Sequence, residues 1–292
     1  MENQDAGWRG KLAGGALAFA LFAVLWYGAA AIGTRLGLWS WQFGLHALTE
    51  SVGPKLLVVS LALAVMALVA AALKAPRKRA VMLALAALLV SSLALGRFAA
   101  YGAQAERLPP LYDVQTDWDD PVRPSEALLA ARAAGGAVNP MADDPVISAE
   151  ADARWPGMAG QRFADVQKQA EFVPGEQKSP RAAPYPLLAP LVQPGASPEE
   201  GYRAALAAVE ARGWEVVRAD ADAGQIEATA TEFWYGFRDD ILIRVRTEDG
   251  GVRIDVRAAS RVGLTDLGAN AKRIRSLLDE IEVRLNKGRI PG

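Results

Sequence analysis

Apolar positions follow three patterns along the chain, and each change of pattern marks a boundary. The first pattern is continuous. Leu12 to Gly33, Leu56 to Leu73 and Ala80 to Gly96 are uncharged runs of about 22, 18 and 17 residues. A helix rises about 1.5 Å per residue, so the first run reaches about 33 Å, enough to cross a hydrocarbon core. The third continues past Arg97, whose long stem snorkels to the interface. Three transmembrane spans are expected, at about 12–33, 56–73 and 80–100, in a membrane region covering residues 1–105.

The second pattern is broken. Residues 106–196 are rich in proline and in small and acidic side chains, and read as a proline-rich extended, connecting part of an outer domain. Tyr112, Val114 and Thr116 alternate, which predicts a short strand at a sheet edge. A helix is expected from about Ser125 to Ala134 and a weaker one around Phe163 to Phe172. Pro180 to Pro194 holds five prolines, and Tyr185–Leu188 reads as a docked extended segment.

The third pattern is periodic and fills residues 197–292. Ser197-Pro198-Glu199-Glu200 is a helix start with a serine cap, a first-turn proline and a glutamate three residues on. Tyr202, Leu206 and Val209 follow at helical spacing, and Gly213 ends the helix. Strands are expected at Trp214–Val217, Gln225–Trp234, Asp240–Thr247 and Val252–Arg261. The stripe Leu267, Ala271, Ile274, Leu277, Leu278, Ile281 and Leu285 marks a closing helix. The predicted order is α-β-β-β-β-α. The fold class is an α-helical membrane anchor of three spans plus an α+β extracytoplasmic domain, its antiparallel sheet of about four strands carrying helices on one face.

A turn centred on Asp249-Gly250 sets Arg244 opposite Asp255 and Arg246 opposite Arg253. The same face would carry Asp240, Arg257, Ser260 and Arg261, with a small bulge to include both of the last two, and Glu227, Thr229 and Thr231 would extend it. Two readings stand. One is a solvated sheet face laced with ion pairs. The other is an anion site in which Arg244, Arg257 and Arg261 fork onto a phosphate or carboxylate, beside the helix N-terminus near Asp266–Ala269. Asn270 falls on the apolar stripe of its helix and needs a partner, either the sheet or a bound group. The candidate ligand-binding residues are therefore Trp234, Asp240, Arg244, Asp255, Arg257, Ser260, Arg261 and Asn270.

Composition narrows the chemistry. Net charge is −1, so no nucleic-acid partner is expected. Cysteine is absent and His46 is the one histidine, which removes disulfides, thiolate nucleophiles and cysteine- or histidine-based metal sites; no metal or cofactor is expected. The acidic cluster Asp117, Asp119 and Asp120 lacks the glycine and ligand spacing of a calcium loop and reads as a solvated turn. Lys74-Ala75-Pro76-Arg77-Lys78-Arg79 is a basic connector and, by the positive-inside rule, cytoplasmic. That puts the N-terminus inside and the C-terminal domain in the periplasm of a bacterial inner membrane. Ala29-Ala30-Ala31 offers a signal-cleavage site as an alternative, but the run exceeds a signal core of roughly 7–15 residues and favours a retained span. Trp26, Tyr27, Trp39, Trp41 and Tyr101 read as an aromatic belt and His46 as a polar loop residue. The spans lack central charges, so no transport or proton pathway is indicated.

Trp234–Asp240, Arg253–Gly263 and Asp266–Ile274, with Tyr112–Asp117 and Gly213–Val217, resemble the bacterial family known as domain of unknown function fourteen ninety-nine, over roughly Pro109 to Glu282. Ala258 stands where that family carries a serine and Leu264 where it carries a polar or basic residue, and both departures weaken a polar site in that corner. Members are often membrane-anchored. The resemblance supports the architecture and implies no catalytic residue.

Three functions are open on this reading. The first is a non-enzymatic, membrane-anchored cell-envelope module binding an anionic ligand, lipid headgroup or partner protein, with membrane lipids and other envelope proteins as partners. The second is an envelope hydrolase or transferase with Asp240 or Asp255 as acid or base. The third is a structural subunit of a membrane complex.

Overall fold

The computed structural model describes residues 7–73, 78–172 and 185–287. Two compact units divide the chain: Met1–Ala103 with Phe233–Gly236, and Gln104–Glu232 with Phe237–Gly292. Lys74–Arg77 of the basic connector and Pro180 and Pro184 of the proline run lie outside the described residues.

The first unit is built on helices α1 (Trp8–Arg35), α2 (Gly53–Ala72) and α3 (Lys78–Arg107), with a π-helical stretch, Phe43–Val52, leading into α2. Three helices here are long and apolar enough to cross a membrane: Trp8–Arg35, Phe43–Ala72 and Lys78–Arg107. They meet through small residues. Ala13, Ala16 and Ala20 of α1, Ala64, Ala67 and Ala71 of α2, and Ala80, Ala84 and Ala87 of α3 form one buried cluster. Large side chains such as Leu25, Val69 and Met82 point outward. This division suits lipid, where association depends on close backbone approach rather than on apolar burial. Buried Ser60 and Ser91 hydrogen-bond to each other between α2 and α3. Beyond α1, the Trp39 indole folds back and its Nε1 donates to Ala30 O at 3.2 Å and Thr34 Oγ1 at 3.0 Å. His46 faces Glu50 at 2.8 Å.

The second unit holds a six-stranded sheet. Its centre is the hairpin of β7 (Arg238–Glu248) and β8 (Gly251–Ser260), flanked by β6 (Gln225–Thr231) and β5 (Glu215–Asp220). The hairpin register is the expected one, with Arg244 opposite Asp255 and Arg246 opposite Arg253. Asp249 and Gly250 both have positive φ (25° and 77°), the twist that suits a two-residue hairpin turn. β6 ends at Thr231 rather than running to Trp234, because Glu232 N donates to Phe237 O and the intervening residues form a turn.

The expectation of about four strands captures β5 to β8, the short strand expected around Tyr112–Thr116 is β1 (Asp113–Gln115), and β4 (Leu191–Pro194) is not among the expected strands. The outer edge of β8 is covered by β1 along residues 257–259 and by β4 along residues 251–254. The broken region thus contributes two strands to the sheet. It also holds α4 (Glu126–Ala134), α5 (Phe163–Ala170), and β2 (Glu171–Phe172) paired in parallel with β3 (Tyr185–Pro186). Gln167 of α5 closes the free edge of β1: its Oε1 accepts from Gln115 N at 3.1 Å and its Nε2 donates to Gln115 O at 2.8 Å. The side-chain amide takes the place of a neighbouring strand and leaves no open ladder there.

Helices α6 (Pro198–Ala211) and α7 (Ala269–Lys287) lie on one face of the sheet, as the apolar stripes require. Ser197 and Glu200 cap α6 reciprocally. Ile241, Ile243, Val245, Ile254 and Val256 share a core with Ala205, Val209, Ile274, Leu277 and Ile281. Complete burial of each large aliphatic side chain contributes about 1.5–3 kcal/mol. Gly201 allows α6 to sit this close, since a Cβ there would come within 2.8 Å of Val252.

Candidate functional site

The other face of the sheet is polar, and it is buried. Strand alternation puts Asp240, Leu242, Arg244 and Arg246 of β7 on this face with Asp255, Arg257 and Ala259 of β8, Glu227 and Thr229 of β6, and Asp113 of β1. Arg257 is fully buried against Asp113: Nε donates to Oδ1 at 3.0 Å and Nη2 to Oδ2 at 2.6 Å, with both side chains at 0% exposure. Burial pushes the Asp113 carboxyl upward, and the adjacent guanidinium opposes that push. Asp240 takes Arg261 in the same forked manner, Nε to Oδ2 at 2.9 Å and Nη2 to Oδ1 at 2.7 Å, and also accepts from Thr229 and Arg132. Asp255 collects Arg244 at 3.1 Å and Arg253 at 3.0 Å. Asp120 joins Arg244 and Arg246, and their hydrogen bonds hold its carboxyl below the usual range, Arg246 most of all. Asp117 joins Arg253 and its Oδ1 accepts from Asp119 N and Asp120 N, so the acidic cluster forms the expected turn with Asp119 exposed, while Asp117 and Asp120 are tied into the arginine network.

Residues 116–142 cover this face, and only α4 within them is helical. An irregular segment leaves backbone carbonyls without partners, and a buried carbonyl needs a donor. The arginines supply those donors. Arg257 reaches Val122 O and Ala142 O, Arg244 reaches Asp120 O, and Arg132 reaches Asn139 O, while Arg261 adds a second donor to Ala131 O at the end of α4, which also accepts from Gly135 N. Each guanidinium carries five N–H groups in a rigid fork, so one can grip a carboxylate and a carbonyl together. Glu227 secures the start of α4 by accepting from both the backbone N and the hydroxyl of Ser125, and that hydroxyl in turn accepts from Leu128 N. A small apolar cluster of Val122, Leu128 and Leu242 fills the middle. At the C-terminal end of α4, a Cβ on Gly135 would collide with the Arg261 guanidinium.

The eight candidate residues separate into three places. Asp240, Arg244, Asp255, Arg257 and Arg261 come together as expected. Ser260 does not join them. No bulge occurs in β8, so Ser260 keeps the alternation and faces α7, where its Oγ accepts from Asn270 Nδ2 at 3.0 Å. Asn270 Nδ2 also donates to Tyr112 O at 3.2 Å, and Arg273 donates to Asn270 Oδ1; the partner Asn270 needs is thus the protein itself. Ala258 shares the Ser260 side, so that departure from the family pattern lies away from the arginines. Trp234 sits in the β6–β7 turn, exposed, and belongs to the first compact unit.

The entry to α7 is strained and half-buried. Leu267 has φ 53° and Gly268 φ 77°, and Thr265 Oγ1 accepts from Leu267 N at 3.1 Å. Asp266 caps the helix, accepting from Gly268 N at 2.7 Å and Asn270 N at 2.8 Å. Desolvation of its carboxyl raises its pKa to about 6 despite those bonds. Above Gly268 the buried Tyr185 hydroxyl has no hydrogen-bond partner among the described residues, and burial raises its pKa as well.

Sequence reasoning missed Asp113 and Arg132. Both left a signal. Alternation that turns Tyr112 and Val114 to one side turns Asp113 to the other, and Arg132 follows Leu128 by one helical turn on the buried stripe of α4.

A family model described as "Protein of unknown function (DUF1499)" matches residues 113–281. No curated protein matches the chain. The matched range runs from Asp113 of the buried pair to Ile281 of the closing helix.

Proposed function

The chain belongs to the DUF1499 family of proteins of unknown function, and on that premise we propose a non-enzymatic, membrane-anchored module of the bacterial cell envelope that serves as a structural, partner-holding subunit. In this reading the three spans hold it in the inner membrane, with the N-terminus and the Lys78–Arg79 end of the basic connector in the cytoplasm and the sheet domain in the periplasm. One observation carries the proposal: the guanidinium groups of Arg244, Arg257 and Arg261 are already bonded to Asp255, Asp120, Asp113 and Asp240 and to backbone carbonyls. An anion at any of them would have to displace a carboxylate of the chain itself. A general acid or base must reach its substrate, and Asp240 and Asp255 are both at 0% exposure. The charge on this face holds its own covering segment, which leaves outward surfaces for partners.

Native mass spectrometry of the full-length protein released from lipid nanodiscs tests the reading. The expected spectrum shows the chain with bound phospholipid and stoichiometric protein neighbours. A small adduct of fixed mass that disappears in Arg244→Ala, a change at the partly exposed rim that leaves the Arg257–Asp113 pair in place, would replace this reading with the anionic-ligand one.

A further inference from the structure

Phe233 and Trp234 are the most conspicuous uncovered aromatics of the β6–β7 turn, 70% and 58% exposed. Their rings meet edge to face with centroids 5.2 Å apart, so they form one rigid apolar knob. The segment that bears them, Phe233–Gly236, belongs to the compact unit that contains the three membrane-capable helices. Within that unit it is tied down at two points. Arg35 Nη1 donates to Phe233 O at 2.6 Å and its guanidinium stands 5.5 Å from the Phe233 ring centre. The Tyr235 hydroxyl lies 2.6 Å from Thr49 Oγ1. Gly236, at φ 71°, turns the backbone against Arg35, where a Cβ would come within 3.2 Å of that side chain.

Arg35 is the last residue of α1 and its first charge after Lys11. A charge at the end of an apolar span marks the depth at which the helix leaves hydrocarbon, because a guanidinium is costly deeper in the bilayer. Phe233 and Trp234 are held at that depth. Tryptophan and other amphipathic rings favour the headgroup layer. We infer that Phe233 and Trp234 seat in the interfacial layer of the phospholipid bilayer beside the end of α1. The occupant of this apolar knob is lipid, not protein. The inference rests on the proposed membrane anchoring and adds a second, non-helical contact with the same bilayer.

The chain has no cysteine, so single-cysteine variants of the full-length protein report one site each. Trp234→Cys and Phe233→Cys would be labelled with an environment-sensitive NBD dye in phosphatidylcholine–phosphatidylglycerol vesicles. Leu25→Cys in α1 reports the span, and Val138→Cys reports an exposed site in the sheet domain. The expected result is blue-shifted emission at 233 and 234, quenching by lipids spin-labelled near the headgroup, and iodide quenching at least ~3-fold weaker than at 138. Water-like emission and full iodide access at both 233 and 234, with position 25 still in lipid, would overturn the seat and leave the anchoring intact. Water-like emission at 25 would overturn both. Protection at 233 and 234 from iodide and from lipid quenchers alike would mean a protein partner covers the knob, and would overturn the lipid assignment.

Discussion

On one face of the sheet Ile241, Ile243 and Val245 share a core with the helical stripe Ile274, Leu277 and Ile281. On the other, Arg244, Arg257 and Arg261 meet Asp255, Asp113 and Asp240 beneath a mostly irregular segment. Both faces are covered over their centres. The difference lies in what each can cover itself with. An apolar face needs a partner whose backbone is already hydrogen-bonded, and helices meet that need. A face of forked donors can accept a partner whose backbone is not, because it completes the missing bonds itself. Buried charge on this sheet goes with an irregular cover for that reason, and its presence does not by itself indicate a ligand.

This contrast can be broken experimentally. Arg257→Ala should have the largest effect. It leaves the Asp113 carboxyl buried without its guanidinium and strips Val122 O and Ala142 O of their donor. Loss of one partner from a buried pair costs about 3–5 kcal/mol, read as a fall in the urea midpoint of the full-length protein in detergent. The double variant Asp113→Leu/Arg257→Met should recover much of the loss, since an apolar replacement of a whole buried pair is often neutral. Failure to recover would show that the carbonyl bonds matter more than the pair. Ile274→Ala probes the opposite face and should cost about 2–5 kcal/mol through an unfilled cavity. It should leave a ligand-free, folded protein whose polar face is unaffected, and the two losses should add, because the sites lie on opposite sides of the sheet. Marked non-additivity would mean that the faces are not independent.

Asp266 sharpens the contrast in another way. Its pKa is raised from 3.8 to about 6 by burial. The folded state therefore binds this proton more tightly than the unfolded state. Its contribution to stability is complete below pH 3.8 and is lost as pH rises through about 6. At about 1.4 kcal/mol per unit, the span is on the order of 2–3 kcal/mol. Gly268 N and Asn270 N bond to different oxygens of Asp266, so Asp266→Asn keeps one of these two bonds and loses the other, and it should flatten this part of the urea midpoint–pH profile. An unchanged profile would assign the titration elsewhere. The smallest effect is expected from Ser125→Ala, which removes the cap of α4 and one bond to Glu227, at about 0.5–2 kcal/mol.

Several of these features were legible in the chain. The Asp249-Gly250 turn set the register that places Arg244 against Asp255, because a two-residue loop leaves no freedom of pairing. The serine–glutamate box located α6. The alanine-rich and leucine-rich runs announced the three membrane-capable helices. Alternation also announced a polar face, but alternation assigns residues to a side and says nothing of what lies over that side. Residues 116–142 have no period long enough to reveal their burial, so the face read equally well as solvated or as a binding site. Ser260 shows a related limit. A strand end was expected to bulge so as to gather every polar side chain on one face, whereas β8 keeps its pleat and gives Ser260 to Asn270.

The pairing of Asp113 with Arg257 also bears on the order in which this protein matures. The two residues are 144 apart in the chain. At a synthesis rate of about 5–20 residues per second, Asp113 waits roughly 7–30 s for its guanidinium to be made. During that interval the covering segment has no face to cover, and its carbonyls have only water or a chaperone. The nascent chain is then a set of apolar spans followed by a long, unfolded acidic stretch. Quality control by proteases has its best opportunity in that window, before β8 arrives and closes it.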